Sequence, residues 1–178
     1  MFDCITNEGM DPTMRAAIAA LVIAAGAHGG PAQAAGDWHA RQKGPTCFVK
    51  AQPLASTNAP PGRGAAYVAV VHNKAERNFD AVSVVSGFPD VTSSNAVMEI
   101  EGRTYELLPF GNAAFVRAGK PEQEVLAAMS RPGTMKVVWT SSIDSTTIVD
   151  NYSLQGFRET KSAADRACGK PAAQTAAR

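Results

Sequence analysis

Val97-Met98-Glu99-Ile100-Glu101-Gly102-Arg103-Thr104-Tyr105-Glu106-Leu107 alternates apolar and polar or charged side chains on both sides of Glu101-Gly102. A period of two places one set on one face of a strand and the other set on the opposite face. Gly102 tolerates the positive φ of a tight turn, so the stretch predicts a β-hairpin with one buried and one wet face. Glu99 and Glu101 then share a face, and solvation explains them more simply than a paired-carboxylate site.

Further short runs rich in β-branched and apolar residues extend this pattern: Thr46 to Gln52, Ala66 to His72, Ala81 to Ser86, Ala113 to Val116, Met135 to Thr140 and Ser145 to Tyr152. With the two hairpin arms they make eight expected strands. The segment from Gln52 to Gly64 contains Pro53, Pro60, Pro61 and Gly62, cannot continue a strand, and is expected to be the most mobile surface. Asn73 to Asp80 reads as a charged turn. A first helix is predicted after Lys120-Pro121, with Val125, Leu126 and Met129 on its buried stripe and a stop at Arg131-Pro132-Gly133. A second covers about Phe157 to Cys168, with Phe157, Ala164 and Cys168 at helical spacing. The expected fold is therefore mainly β, a β-sandwich or barrel-like antiparallel arrangement over residues 36–169, with one short inserted helix and one C-terminal helix. Residues 170–178 carry no large apolar side chain and are expected to form a disordered tail.

The start of the chain has a different character. From Met14, Arg15 is followed by an apolar run to Ala27, then by Gly29-Gly30-Pro31 and by the small-x-small pattern of Ala32 and Ala34. This is the pattern of a secretory signal over residues 1–35, with cleavage after Ala34 or Ala35. Asp3, Glu8 and Asp11 precede Met14, where a signal avoids acids, so Met14 is an alternative start. The run is shorter than the ~20 apolar residues a membrane span requires, and no transmembrane segment is expected in the mature chain.

Export accounts for the cysteines. Cys4 falls in the leader, and no Leu-x-x-Cys lipidation pattern follows the apolar run. Cys47 and Cys168 remain, and in an oxidising compartment they are expected to pair. There is no Cys-x-x-Cys and no His at metal-site spacing, so neither a reactive thiol nor a metal site is expected. Lys and Arg number 17 and Asp and Glu 16; loss of Arg15 and the three leader acids leaves a net charge of +3 with no basic cluster. That excludes the electrostatic footprint of a nucleic-acid binder.

Catalytic motifs are lacking. There is no Gly-x-Ser-x-Gly elbow, His-Glu-x-x-His, phosphate loop or Gly-x-Gly-x-x-Gly fingerprint. Ser141-Ser142, Asp144 and His72 offer the side chains of a nucleophile, acid and base, which need only converge in space, but Ser and Thr are also common turn residues. Trp38 and Trp139 are able to stack a ligand, although the setting Val137-Val138-Trp139-Thr140 reads as core.

The order Asp37-Trp38, Cys47-Phe48-Val49, Val82-Ser83-Val84, Gly87-Phe88-Pro89, Val97 to Gly102, Ala128-Met129 and Asp150-Asn151-Tyr152-Ser153-Leu154-Gln155-Gly156-Phe157, closing on Cys168, resembles the invasion associated locus B family across the whole mature domain. The Asp-x-Tyr-Ser-Leu-x-Gly-Phe string is its most distinctive part. The resemblance implies an exported, β-rich bacterial envelope protein, periplasmic or secreted, with no catalytic residues and no cofactor to carry over. Ile143-Asp144 stands where relatives tend to carry Arg-Gly, and Ala114-Phe115 where they often carry Ala-Trp. The expected role is a non-catalytic binding or envelope-interaction module whose partner is a protein or an envelope or host surface ligand. The alternative, a periplasmic hydrolase, needs a concave pocket holding at least two convergent titratable groups with perturbed pKa values, and His39 or His72 in a deep cleft beside a carboxylate and a serine would favour it. Protein recovered from the periplasm is expected to begin at Ala35 or Gly36; intact mass spectrometry finding Met1 or Met14 would refute the export reading.

Overall fold

The computed structural model describes residues 38–91, 93–141 and 144–171. The expected leader, Ser142 and the tail beyond Pro171 lie outside the described residues. Ten strands form one antiparallel sheet: β1 (His39–Lys43), β2 (Thr46–Ala51), β3 (Ala55–Thr57), β4 (Tyr67–Asn73), β5 (Asn78–Val85), β6 (Ser94–Ile100), β7 (Arg103–Phe110), β8 (Ala113–Val116), β9 (Thr134–Ser141) and β10 (Thr147–Ser153). Helix α1 (Lys120–Met129) follows β8 and α2 (Phe157–Ala167) follows β10.

The strand order is β1-β2-β4-β5-β8-β7-β6-β9-β10-β3. In a flat sheet at ~4.8 Å per strand, β2 and β3 would stand roughly 38 Å apart. Only Gln52, Pro53 and Leu54 join them, and the chain from Ala51 to Ala55 reaches at most ~14 Å. The sheet must therefore curl until its far edge meets its beginning, which is the barrel-like form of the expected fold.

Period-two alternation decides what the curl encloses. Val49, Val68, Val70, Val82, Val84, Met98 and Ile100 are fully buried, as are Met135 and Val137 on β9. At the β6–β7 turn both Glu101 (φ 51°) and Gly102 (φ 75°) are left-handed, the requirement of a two-residue turn whose twist matches its strands. Ala96 opposes both Leu107 and Trp139 across the sheet, so a small side chain makes room for an indole. On α1, Val125, Leu126 and Met129 are buried as the spacing predicts. β8 pairs with β5 only over Ser83–Val85, and Glu122 of α1 accepts the Val82 N–H at 3.1 Å.

Two strands, β1 and β3, were not expected. Every residue of both is exposed. Edge strands with both faces wet carry no alternation to read, and hydrogen bonding to β2 and β10 alone sets them. The Gln52–Gly64 segment, expected to be mobile, is instead anchored. Arg63 Nη1 and Nη2 donate to Asp150 Oδ1 and Oδ2 at 2.7 Å each, Nε donates to the Ser86 carbonyl at 2.6 Å, and Ser56 Oγ donates to Asp150 Oδ1 at 2.6 Å.

The C-terminal helix closes the opposite end. Phe157 is fully buried and meets the Trp38 ring edge-on, centroids 4.7 Å apart. Trp38 Nε1 donates to the Ser153 carbonyl at 2.8 Å. Cys47 and Cys168 form the expected disulfide, Cα atoms 6.2 Å apart, across 121 residues of chain. Lys170, first residue of the expected tail, is tied back: its N–H donates to the Asp165 carbonyl at 2.9 Å and its ammonium pairs with Asp80. Cys168→Ala is expected to cost about 2–4 kcal/mol, with hydrogen exchange rising over Ala164–Cys168 before it rises in the sheet, since Phe157 still holds the start of the helix. A thermal transition and exchange pattern matching the native protein would refute the staple.

Candidate functional site

Where β5 and β9 end and β6 and β10 begin, the connecting loops do not close over the sheet but leave a cleft of about 610 Å³. Phe88, Val91, Trp139 and Ile148 supply its apolar surface. Ser93, Ser94, Ser141 and Thr146 add hydroxyls, Asn58 an amide, and Asp90 and Asp144 carboxylates. No Lys, Arg or His is among the described residues that line it. The anchored loop makes one wall: Arg63 stacks over the Phe88 ring at 5.0 Å, and Gly64 N–H donates to the Gly87 carbonyl at 2.9 Å. Gly87 has φ +81°, and a Cβ there would stand 2.4 Å from the Gly64 carbonyl oxygen, so the approach requires glycine.

Trp139, a candidate for stacking whose setting reads as core, lines this cleft but is only 3% exposed and belongs to the core. Its ring is wall rather than open platform. Its Nε1–H is buried with no acceptor among the described residues, a state that costs about 1–3 kcal/mol. Trp38, the other candidate, is core. Asp144 Oδ1 accepts the Thr146 N–H at 3.0 Å. That bond, with the Ser141 and Thr146 hydroxyls, holds its carboxyl below the ordinary 3.8. Asp144 is thus ionised at neutral pH.

The structure brings Ser141 and Asp144 together but not His72. His72 lies on β4 at a register shift against β5. Ala81, beside it, is separated from Phe88 in the cleft wall by roughly 23 Å of chain at ~3.3 Å per residue. Here β5 carries a bulge whose Asp80 is left-handed, φ 73°. The Asp80 N–H, which the bulge releases from the ladder, donates to His72 Nδ1 at 3.0 Å. The imidazole proton is therefore on Nε2, where Asp165 Oδ1 lies 2.9 Å away but off the N–H axis. Burial lowers the His72 pKa below 6.5 against the opposing pull of Asp165 and Asp80, and the ring is neutral.

Lys161 Nζ is 2.7 Å from Asp80 Oδ1 and 2.9 Å from Asp165 Oδ2. Burial alone would raise the Asp80 pKa, but hydrogen bonds from Lys161 and Lys170 hold it below 3.8. His72, Asp80 and Asp165 can place ligand atoms within 4.8 Å of one another, yet two ammonium groups already balance the two carboxylates and Nδ1 is occupied. The cluster is a charge-neutral clasp that docks α2 beside the disulfide. His39 stands exposed on the edge strand. Glu99 opposes Lys136 across the sheet, and Glu101 pairs with Arg131 at 2.8 Å on the surface.

Sequence reasoning missed Asp90, Asn58, Phe88 and the Arg63–Asp150 pair. A readable signal existed for Asp150: it occupies the inward position between Ile148 and Tyr152, where alternation calls for an apolar residue. Leu108, Phe110 and Phe115 are exposed on the outer face of β7 and β8, with Leu108 and Phe115 opposite one another in the ladder. Comparisons of the chain with family models, curated proteins and solved structures find no match.

A buried neutral histidine has a definite pH signature. Its folded pKa is below the unfolded one, so the unfolded chain takes up the proton first and stability falls as pH drops below about 6.5, by at most about 1.4 kcal/mol per pH unit. Asp80, with a lowered pKa, adds its own loss at lower pH. His72→Asn keeps an acceptor for the Asp80 N–H and is expected to flatten the decline between about pH 6.5 and 5 in urea titrations. A parallel decline in both proteins would refute this assignment.

Proposed function

We propose that this chain is an exported, non-catalytic binding module of the bacterial envelope, of the kind the invasion associated locus B family comprises, and that the cleft around Trp139 receives its ligand. The cleft carries the reading. Its volume of about 610 Å³, and an apolar floor ringed by hydroxyl, amide and carboxylate groups, suit a small molecule or a projecting side chain. Its chemistry favours holding over turnover: the Ser141 hydroxyl neighbours a carboxylate kept ionised by local hydrogen bonds, and no imidazole or amine among the described lining residues is placed to activate it. Support for export comes from the leader pattern and from a disulfide, which persists in oxidising compartments.

Ser93 is exposed at the rim, so Ser93→Trp fills the mouth without disturbing the core. Purified native protein, incubated with envelope extract and washed, is expected to retain a component that Ser93→Trp retains about tenfold less, at an unchanged melting temperature. Equal retention by both would sink the reading. Hydrolysis of an ester or peptide panel that Ser141→Ala abolishes would establish the hydrolase instead.

A further inference from the structure

β1 ends the strand order, and its backbone hydrogen bonds among the described residues run to β2 alone. All five of its residues are exposed. Ala40 and Gln42 stand opposite the buried Val49 and Cys47 and so face inward, yet they too are exposed. Its outer row of N–H and C=O groups is therefore open to a further strand.

The outward face of this edge is cationic. His39, Arg41 and Lys43 stand opposite Lys50, Phe48 and Thr46 of β2, and residues paired across a sheet share a face. Arg41, Lys43 and Lys50, spread singly along the sequence, thus form one group on the outside of the sheet. The Lys50 ammonium is held there over the Tyr67 ring, 5.2 Å from its centroid. β1, β2 and β4 contain no Asp or Glu. None of the three cations makes an ion pair among the described residues.

We propose that β1 receives an extended acidic segment of a partner protein as an added strand, with Asp or Glu at every second position set against Arg41 and Lys43. Alternate residues of an extended chain recur every ~6.6 Å, the interval at which these two cations recur along β1. Ladder hydrogen bonds and cross-strand ion pairs then form in one register. A second copy of the chain does not fit, because β1 laid antiparallel against β1 sets like charges opposite one another. A lipid surface or a nucleic acid would meet the charges and leave the ladder unpaired. The edge shares no residue with the cleft, and the inference does not depend on the ligand proposed there.

Capped heptapeptides test it by titration into ¹⁵N-labelled native protein, following the amides of His39 to Lys43. Thr-Glu-Val-Glu-Thr-Glu-Val is expected to shift them saturably. It should bind about fivefold more tightly than Glu-Glu-Glu-Thr-Val-Thr-Val, which has the same composition without the alternation. Methylating every backbone nitrogen of the first peptide removes its ladder donors and should abolish the shifts. Arg41→Glu combined with Lys43→Glu is expected to lose the glutamate peptide and to gain Thr-Lys-Val-Lys-Thr-Lys-Val at the same amides, a gain that also requires a folded edge. Equal binding of the alternating and block peptides, or retained binding of the methylated one, would reduce the contact to charge attraction and overturn strand addition. Absence of shifts at β1 would overturn it too, as would tighter binding there of phosphatidylglycerol vesicles or oligothymidylate than of the glutamate peptide.

Discussion

The bidentate ion pair between Arg63 and Asp150 governs the open end of the barrel. Asp150 projects from β10 into the interior, where an isolated carboxylate would be prohibitively costly. Arg63 answers it with two parallel hydrogen bonds and spends its remaining Nε on the Ser86 carbonyl, while Ser56 gives Asp150 a third donor. A buried pair of this kind need not add net stability over an apolar pair, but loss of either member leaves an uncompensated charge and costs about 3–5 kcal/mol. What the pair provides here is position. It fixes a proline- and glycine-rich segment over the sheet, sets Phe88 under the guanidinium, and brings Gly64 onto Gly87. The wall of the cleft is a consequence of that anchoring.

The other end of the barrel is closed by different means. The disulfide, the Trp38–Phe157 contact and the clasp of His72, Asp80, Asp165, Lys161 and Lys170 all bear on α2. A helix whose inward stripe includes little beyond Phe157 and Ala164 buries too small an apolar area to dock by hydrophobic burial alone. Covalent and electrostatic contacts supply the difference. His72 belongs to this arrangement: it accepts an amide that a bulge has freed, and the same burial that keeps it neutral removes it from solvent and from any substrate. One end of the molecule is thus locked, and the cleft around Trp139 opens at the other.

Much of this was legible in the sequence because it is local. Alternation about Glu101-Gly102, the β-branched runs, Pro121 at the opening turn of α1 and the 157, 164, 168 spacing of α2 each reflect a preference that neighbouring residues impose on one another, and Cys47 and Cys168, alone outside the leader-like segment, had little choice of partner. The exposed strands β1 and β3 left no such trace, since hydrogen bonds to distant strands, not side-chain burial, define them. The same reason hid the cleft. Asn58, Phe88, Trp139 and Asp144 are brought together only when the sheet curls through ten strands, and their spacing along the chain says nothing of that curvature. Ser141 and His72, equally plausible partners by residue type, are held apart by the same curl, because the strands between them run the length of the barrel. Composition and periodicity determined that this protein is a stapled β-domain; which side chains share a site was decided by sheet closure, a property of long-range pairing that no local stretch encodes.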